Sequence, residues 1–260
     1  MAGRFAGRVA LVTGGTSGIG AGAVERLAAE GATVHFTGSK VAAGEAIAAR
    51  TGGSFHRHRV EDADGWPALI EAILAAHGRL DIAFANAGTE AGDSNVEDIG
   101  LEGWQHVLSV NLTGAMLTVR HAIRAMRQNP GGAAGAIILN SSMNAHRAMG
   151  NYAAYSVSKS GVCALAKSAA LHCATSGTMI RVNAILPGVV ETALIAEVIA
   201  RAPDPAAARA AFEGMSPMKR MASVEDVTGL VAFLASDEAR HINGAEIVID
   251  GASTAGMMGV

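Results

Sequence analysis

Short apolar segments alternate with longer segments of helical periodicity along the whole chain. The apolar segments include RVALVTG, ATVHFTG, LDIAFANAG, GAIILNSS, MIRVNAILPG and AEIVIDG. The segments between them, such as AGAVERLAAEG and SVEDVTGLVAFLAS, repeat their apolar residues at helical spacing. Strands that are apolar almost throughout are typical of a parallel sheet buried between helices. We therefore predict an α/β fold with about seven strands and with helices on both faces of the sheet.

No internal repeat, low-complexity tract or linker interrupts this alternation, so we expect one domain over residues 1–260. The least regular segment, residues 191–221, is rich in alanine and contains Pro-Asp-Pro at 203–205. We interpret this segment as a substrate lid, with a plain surface connection as the alternative.

Composition narrows the class of protein. The chain is 50% hydrophobic and only 17% charged, which suits a large core, and its formal charge of −3 with no long basic run gives no reason to expect nucleic acid. No segment approaches the ~18–20 uncharged apolar residues of a membrane span, and the first apolar run is too short for a signal peptide. We therefore expect a cytoplasmic protein without a membrane partner. Cys163 and Cys173 fit no metal-binding spacing and are interpreted as buried thiols.

A glycine-rich loop, TGGTSGIG at Thr13 to Gly20, follows the first predicted strand and opens a helix. Gly14, Gly18 and Gly20 allow a pyrophosphate to approach the backbone, and the helix N-terminus supplies amide donors and a favourable dipole. The Gly-x3-Gly-x-Gly spacing differs from the usual G-x-G-x-x-G fingerprint of dinucleotide sites. Its position after the first strand nevertheless favours dinucleotide binding.

Both tyrosines of the chain lie between Ser141 and Lys159. Tyr155 and Lys159 are one helical turn apart, so their side chains can approach each other, and an adjacent ammonium is expected to lower the pKa of the phenol towards a useful range. Tyr152 lies two turns from Lys159, ~10 Å along a helix, and is too far away for direct activation. Ser142 is placed to hydrogen-bond a substrate oxygen. A lone Tyr-x3-Lys pair would be ordinary helix surface, so the interpretation depends on the other motifs.

The order and separation of these motifs resemble the short-chain dehydrogenase/reductase family over almost the whole chain. The resemblance rests on TGGTSGIG, NAG at 86–88, Asn111 in VNLTG, Ser142, YSVSK at 155–159 and PGVVET at 187–192. Within the family, the chain is most similar to bacterial secondary-alcohol and hydroxysteroid dehydrogenases. The resemblance implies a single-domain, Rossmann-type, doubly wound parallel sheet. It also implies an NAD(P)-dependent oxidoreductase that interconverts a secondary alcohol and a ketone, assembled as a homotetramer.

The resemblance also implies the residues of the site. Tyr155 is the expected acid–base residue, Lys159 and Ser142 assist it, and Asn111 holds a proton-relay water. The expected cofactor-binding residues are Gly14, Thr16, Ser17, Gly18, Ile19, Gly38, Ser39, Lys40, Arg59, Val60, Asn86, Ala87, Gly88, Tyr155, Lys159, Pro187, Gly188, Val190 and Thr192. The expected substrate pocket comprises Met143, Asn144, Met149 and Tyr152, bounded further by Glu90, His146, Val189 and residues 191–215. No metal site is expected.

Two positions depart from the family pattern. Gly38 stands where NAD-preferring relatives carry an acid that binds the ribose 2′-hydroxyl, and Ser39 and Lys40 follow it, which favours NADP(H) over NAD(H). Arg59 stands before Val60, where relatives carry an aspartate against the adenine. The arginine either weakens adenine binding or takes part by stacking on the ring or binding the phosphate.

Two alternative functions remain at this point. A 3-oxoacyl thioester reductase would carry the same catalytic residues, and the scattered Arg120, Arg124 and Arg127 would be the candidates for docking an acidic carrier protein. A non-catalytic dinucleotide-binding protein is the other alternative. The presence of the serine, tyrosine and lysine of the catalytic set argues against it.

Overall fold

The computed structural model describes residues 3–256, which fold into one seven-stranded sheet covered by helices. The strands are β1 (Val9–Val12), β2 (Thr33–Gly38), β3 (Ser54–Arg57), β4 (Ile82–Ala85), β5 (Ala134–Asn140), β6 (Met179–Pro187) and β7 (Glu246–Ile249). The α-helices are α1 (Gly18–Ala29), α2 (Val41–Thr51), α3 (Trp66–His77), α4 (Leu101–Leu108), α5 (Gly114–Met126), α6 (Ala153–Thr175), α7 (Ala193–Arg201), α8 (Pro205–Gly214) and α9 (Val224–Ala235). None of the helices within residues 3–256 combines the length and the apolar character that a bilayer crossing requires.

The strand order β3-β2-β1-β4-β5-β6-β7 is that of a doubly wound sheet, and every pairing is parallel. The chain adds β2 and β3 on one side of β1 and then returns to add β4 on the other side. This reversal opens a crevice at the carboxyl ends of β1 and β4, which is where open α/β sheets bind ligands. The predicted α/β, Rossmann-type fold is confirmed.

The central strands are buried on both faces because their side chains alternate between two apolar cores. In β1, Val9 and Leu11 pack into the core formed with α3, α5 and α6, whereas Ala10 and Val12 pack into the core formed with α1, α2 and α9. Trp66 is the largest fully buried side chain, and its indole donates a hydrogen bond of 3.0 Å to the carbonyl oxygen of Val60. These two cores fix the sheet on which the site is built.

The cysteines lie where the sequence predicted them. Cys163 and Cys173 are both buried as free thiols on α6. Burial raises the pKa of both thiols, which keeps them protonated.

Residues 191–221 are more regular than the sequence suggested, because they contain the helices α7 and α8. The Pro-Asp-Pro segment starts α8 instead of preventing it: Asp204 accepts a hydrogen bond of 3.0 Å from the amide of Ala207, and Pro205 occupies the first helical position. A parallel bridge between Val190 and Ala222 closes the base of the segment. Its role as a lid stays a prediction.

Candidate active site

The N-terminus of α1 faces the crevice without a protein side chain to cap it. The N-cap residue Ser17 makes no side-chain hydrogen bond to the first turn, and the first turn contains no acidic residue. A helix N-terminus of this kind presents amide donors and the positive end of the helix dipole to an anion. The expected residues Gly14, Thr16, Ser17, Gly18 and Ile19 all lie here. The donor set therefore fits the pyrophosphate of a dinucleotide.

The glycines of this loop serve different purposes. Gly14 and Gly18 have φ of +66° and +53°, in the left-handed region that favours glycine. A Cβ on Gly20 would lie 2.2 Å from the carbonyl oxygen of Gly14, so Gly20 is required by the packing of the loop itself, not by space for a pyrophosphate. A Cβ on Gly18 would lie 3.4 Å from Cγ2 of Thr192, which places the loop beside the segment after β6.

The segment after β4 ties three strand ends together. Thr13 Oγ1 accepts hydrogen bonds from the amides of Asn86 and Ala87, at 3.0 and 3.2 Å. The Asn86 amide group donates to the carbonyl of Thr13, and Asn140 Nδ2 donates to Asn86 Oδ1, at 3.1 and 3.0 Å. Asn86 therefore joins the ends of β1, β4 and β5. Contact of Asn86, Ala87 and Gly88 with the dinucleotide stays a prediction.

The end of β2 is packed against the glycine loop. A Cβ on Gly38 would lie 2.5 Å from Cγ2 of Thr16, so the side chain of Thr16 occupies the space that a carboxylate at position 38 would need. Ser39 and Lys40 follow and are exposed. Positions 38–40 contain no acidic residue, which is consistent with phosphate binding at the end of β2.

The end of β3 differs from the end of β2 because its arginine already has a partner. Arg59 is exposed, and its Nε donates a hydrogen bond of 2.8 Å to Glu61. Val60 is buried and packs against Gly114, where a Cβ would lie 2.5 Å from the valine side chain. The structure thus places Val60 in the protein interior and leaves the guanidinium of Arg59 at the surface in an ion pair.

Ser142, Tyr155 and Lys159 come together at the ends of β5 and α6. Lys159 is buried, its Nζ lies 5.4 Å from the centroid of the Tyr155 ring, and it donates a hydrogen bond of 2.8 Å to the carbonyl of Asn140. Ser142 is the N-cap of a short 3-10 turn (Met143–Ala145) and accepts a hydrogen bond of 3.1 Å from the amide of Asn144. The serine, the tyrosine and the lysine form one constellation at the carboxyl edge of the sheet.

The pKa values of the pair differ from the sequence-based expectation. Burial lowers the pKa of Lys159 to about 8. Burial also raises the pKa of Tyr155; the Ser142 hydroxyl acts in the opposite direction, while the Glu90 carboxylate and Tyr152 add to the rise. The expectation that the pKa of the phenol is lowered towards neutrality is therefore wrong for the protein alone, because burial disfavours the charged phenolate. Tyr155 is held in its neutral, proton-donating form.

Asn111 lies in a π-helical turn (Ser109–Thr113) between α4 and α5. Its Oδ1 accepts a hydrogen bond of 2.7 Å from the amide of Thr89, and its Nδ2 donates to the carbonyl of Thr89 at 2.9 Å. A Cβ on Gly88 would lie 3.4 Å from both Asn111 Oδ1 and Lys159 Nζ, so the three residues converge. π-turns of this kind are frequent at functional sites. The relay water stays a prediction.

The chain is similar to known proteins over almost its whole length. A family model described as enoyl-(acyl carrier protein) reductase matches residues 14–254. The chain is 36% identical over 259 residues to an NADP-dependent (R)-specific alcohol dehydrogenase of Lentilactobacillus kefiri, covering 98% of this chain and 100% of that protein. It is also 36% identical over 260 residues to a 3-alpha-(or 20-beta)-hydroxysteroid dehydrogenase of Mycobacterium bovis, covering 99% and 93%. The crystal structure of levodione reductase matches with a TM-score of 0.87 and 29% identity, covering 97% and 100%.

The chain belongs to the short-chain dehydrogenase/reductase family. Its resemblance to secondary-alcohol and hydroxysteroid dehydrogenases is confirmed, and so is the predicted chemistry. The protein is an oxidoreductase that acts on CH–OH groups, interconverting a secondary alcohol and a ketone with a nicotinamide dinucleotide.

The residues predicted to form the substrate pocket of this dehydrogenase differ in their burial and contacts. Met143 and Asn144 are buried in the turn after Ser142, and Tyr152 stands edge-on to Tyr155 with 6.4 Å between ring centroids. Met149 is half-buried on the same segment. His146 is exposed and binds Glu246 of β7 at 2.5 Å, which ties the turn to the edge strand; its place at the boundary of the substrate pocket stays a prediction.

The segment after β6 joins the dinucleotide side to the lid. Pro187 ends β6, and a Cβ on Gly188 would lie 2.9 Å from the Cα of Asp250, so only glycine fits there. Val190 is buried, and Thr192 is the N-cap of α7. Val189 lines a cavity of about 330 Å³ between this segment and the C-terminal residues 248–253; Ser142, Tyr155 and Lys159 do not line it.

Sequence reasoning missed several residues that hold the dehydrogenase site together. Thr13 and Asn140 bind the Asn86 segment, and Asp93 binds the first turn of α6. Thr13 follows β1 and Asn140 ends β5, so strand ends at the carboxyl edge were the available signal. For Asp93 the signal was weaker: an aspartate followed by a serine, typical of a helix cap, at a place where no helix begins.

Proposed function

We propose that Tyr155 is the acid–base residue of this secondary-alcohol dehydrogenase. The observation that carries the proposal is the convergence of Ser142, Tyr155 and the buried Lys159 beside the crevice. When the carbonyl is reduced, the phenol donates its proton to the substrate oxygen; oxidation of the alcohol is the reverse of this transfer. The bound nicotinamide supplies the hydride in reduction and accepts it in oxidation.

Ser142, Lys159 and Asn111 assist the proton transfer. The Ser142 hydroxyl holds the substrate oxygen and stabilises the charge that develops on it. Lys159, whose pKa burial lowers to about 8, exchanges protons near neutral pH and replaces the proton that Tyr155 gives up. Asn111 adjoins Lys159 across Gly88, which suits a relay to solvent through a water on its amide.

The dinucleotide binds along the ends of β1, β2 and β4 and reaches the segment after β6. In this arrangement the open N-terminus of α1 holds the pyrophosphate. We propose NADP(H) as the preferred form, because Gly38 offers no carboxylate to repel a 2′-phosphate and the exposed Ser39 and Lys40 are available to bind it. The relative from Lentilactobacillus kefiri is named NADP-dependent, which supports the same preference.

The substrate lies between Met143, Met149 and Tyr152 and under residues 191–221, which act as the lid. We propose a single-domain protein that works in the cytoplasm as a homotetramer. Support for assembly comes from large apolar side chains that are exposed on two helices. Leu101 on α4 and Leu171 on α6 are 69% and 67% exposed.

The test is a parallel fluorescence titration with NADPH and NADH, followed by turnover of simple ketones and secondary alcohols by the native protein and Tyr155→Phe. We expect tighter binding of NADPH, reduction of ketones, and loss of turnover in the variant while the coenzyme still binds. Equal turnover by Tyr155→Phe would overturn the assignment of the acid–base residue. Preference for NADH would overturn the coenzyme assignment alone.

A 3-oxoacyl thioester belongs in the same assay. Arg120 and Arg124 on α5 and Arg127 at its C-cap are all exposed, a feature that suits an acidic carrier protein. Arg127 is already bound to Ser176 at 2.7 Å. We expect simple secondary alcohols and ketones to be better substrates than the thioester.

A further inference from the structure

The loop between β4 and α4 holds the N-terminus of α6 although it lies about 60 residues away in the sequence. Asp93 accepts a hydrogen bond of 3.0 Å from the amide of Ala154 at Oδ1 and one of 2.7 Å from the amide of Tyr155 at Oδ2. The carbonyl of the next residue, Ser94, accepts a hydrogen bond of 3.0 Å from the amide of Ala153. The first three amides of α6 are thus bound by two neighbouring residues of the loop.

These contacts replace the cap that α6 lacks locally. The residue at the N-cap position, Tyr152, makes no side-chain hydrogen bond to the first turn, and that turn contains no acidic residue. A carboxylate at a helix N-terminus makes charge-assisted hydrogen bonds and interacts favourably with the helix dipole. Asp93 therefore supplies from a distance what a capping residue normally supplies from the adjacent position.

The same loop also reaches the other side of the Tyr155 backbone. Ser158 Oγ donates a hydrogen bond of 2.7 Å to the carbonyl of Tyr155 and accepts one of 3.1 Å from Asn111 Nδ2. Asn111 in turn exchanges two hydrogen bonds with the backbone of Thr89, which is in the same loop as Asp93. A closed ring of hydrogen bonds therefore runs from the amide of Tyr155 through the loop and back to its carbonyl.

We propose that Asp93 is a positioning residue for the reaction, because its carboxylate fixes the backbone of Tyr155 and so aims the phenol at Ser142 and the substrate oxygen. This inference rests on the proposed acid–base role of Tyr155. Proton transfer requires the phenol within hydrogen-bond distance of the substrate oxygen, and a displacement of about 1 Å costs on the order of 100-fold in rate.

The test compares Asp93→Ala and Asp93→Asn with Ser223→Ala, all assayed well below their melting temperatures. Ser223 caps α9 through a hydrogen bond of 3.1 Å to the amide of Asp226, so it is a matched helix cap that is remote from Tyr155 in the sheet's other layer. Asp93→Ala is expected to lower kcat by about 10- to 100-fold at saturating substrate and coenzyme, with coenzyme affinity within 2-fold of the native protein. Asp93→Asn keeps one acceptor oxygen, so its kcat is expected to lie between that of Asp93→Ala and that of the native protein. Ser223→Ala is expected to lower only the melting temperature.

The outcomes separate this inference from the proposed function. If Asp93→Ala lowers the melting temperature as Ser223→Ala does but keeps kcat within 2-fold, Asp93 only stabilises the helix and the inference fails. If coenzyme affinity falls as much as kcat, the site is distorted generally and the inference also fails. If Asp93→Ala does not fold, Asp93→Asn decides by the same criteria. A fully active Tyr155→Phe overturns the proposed function itself, whereas an inactive Tyr155→Phe beside a fully active Asp93→Ala overturns only the role of Asp93.

Discussion

The N-termini of α1 and α6 both lie at the crevice, but only the N-terminus of α6 is capped by protein groups. At α1, the N-cap Ser17 makes no side-chain hydrogen bond and no acid stands in the first turn. At α6, the first turn is bound by Asp93 and Ser94 from a separate loop. The same backbone feature serves two purposes: left open, it can bind an anionic ligand, and closed by a carboxylate, it can hold a side chain in place.

The residues around each helix end explain the difference. The loop before α1 consists of glycines and small polar residues, with positive φ angles at Gly14 and Gly18. The segment before α6 begins with a tyrosine at the N-cap, which cannot cap a helix, so an acceptor must come from elsewhere in the fold. Single substitutions near either helix N-terminus test this difference.

The largest effect is expected from replacing Lys159, which lies beside Tyr155 on α6. Lys159→Met should lower kcat by about 10²- to 10⁴-fold, because the proton transfer loses its cation and its proton source. Lys167→Met is the matched control, since Lys167 lies two turns further along α6, is 57% exposed, and binds Glu246 at the edge strand. Steady-state kinetics with saturating coenzyme measures both variants. Equal loss in the two variants would show that α6 tolerates no methionine, and would remove the evidence for Lys159.

The same lysine predicts a pH dependence of folding. Burial lowers the pKa of Lys159 from 10.5 to about 8, so between these pH values the unfolded chain binds more protons at this site than the folded chain. The free energy of unfolding therefore rises with pH across this window, by on the order of 3 kcal/mol, and this gain is lost as the pH falls back through about 8. Urea unfolding at pH 7.5 and pH 10 should show the rise in the native protein relative to Lys159→Met. An identical pH dependence in both would contradict the lowered pKa.

The difference between the two helix ends also shows how far sequence reasoning extends. The strands, the glycine loop and the Tyr155–Lys159 pair were predictable because each is a local pattern of spacing or periodicity. The contact of Asp93 with Tyr155 and that of His146 with Glu246 join residues 62 and 100 positions apart, and no local pattern encodes them. The pKa of Tyr155 was wrongly predicted for a related reason: spacing gives the neighbour, whereas burial depends on the packing of the whole site.

A carboxylate at the N-terminus of α1, like the one at the N-terminus of α6, tests whether the pyrophosphate binds there. Ser17→Asp places a carboxylate where the pyrophosphate is proposed to bind, and we expect coenzyme affinity about 10- to 100-fold weaker because of charge repulsion. The melting temperature should not fall, because the new carboxylate interacts favourably with the helix dipole. Ser17→Asn is the neutral control, with similar size and capping ability, and should bind the coenzyme more tightly than Ser17→Asp. Titrations with NADPH at low and high salt measure both; unchanged affinity in Ser17→Asp would place the anion elsewhere.

The smallest effect is expected beside that open end, at the residue proposed to set coenzyme preference. Gly38→Asp introduces a carboxylate next to the proposed 2′-phosphate position, and we expect the ratio of NADPH to NADH affinity to fall by about 10-fold. Because a Cβ at position 38 would lie 2.5 Å from Thr16 Cγ2, the single variant should also lose stability. Adding Thr16→Gly removes the colliding side chain, so the double variant should recover stability while keeping the altered preference. If Thr16→Gly alone shifts the preference as much as the double variant does, then the shape of the glycine loop, and not the charge at position 38, determines which dinucleotide this end of the sheet accepts.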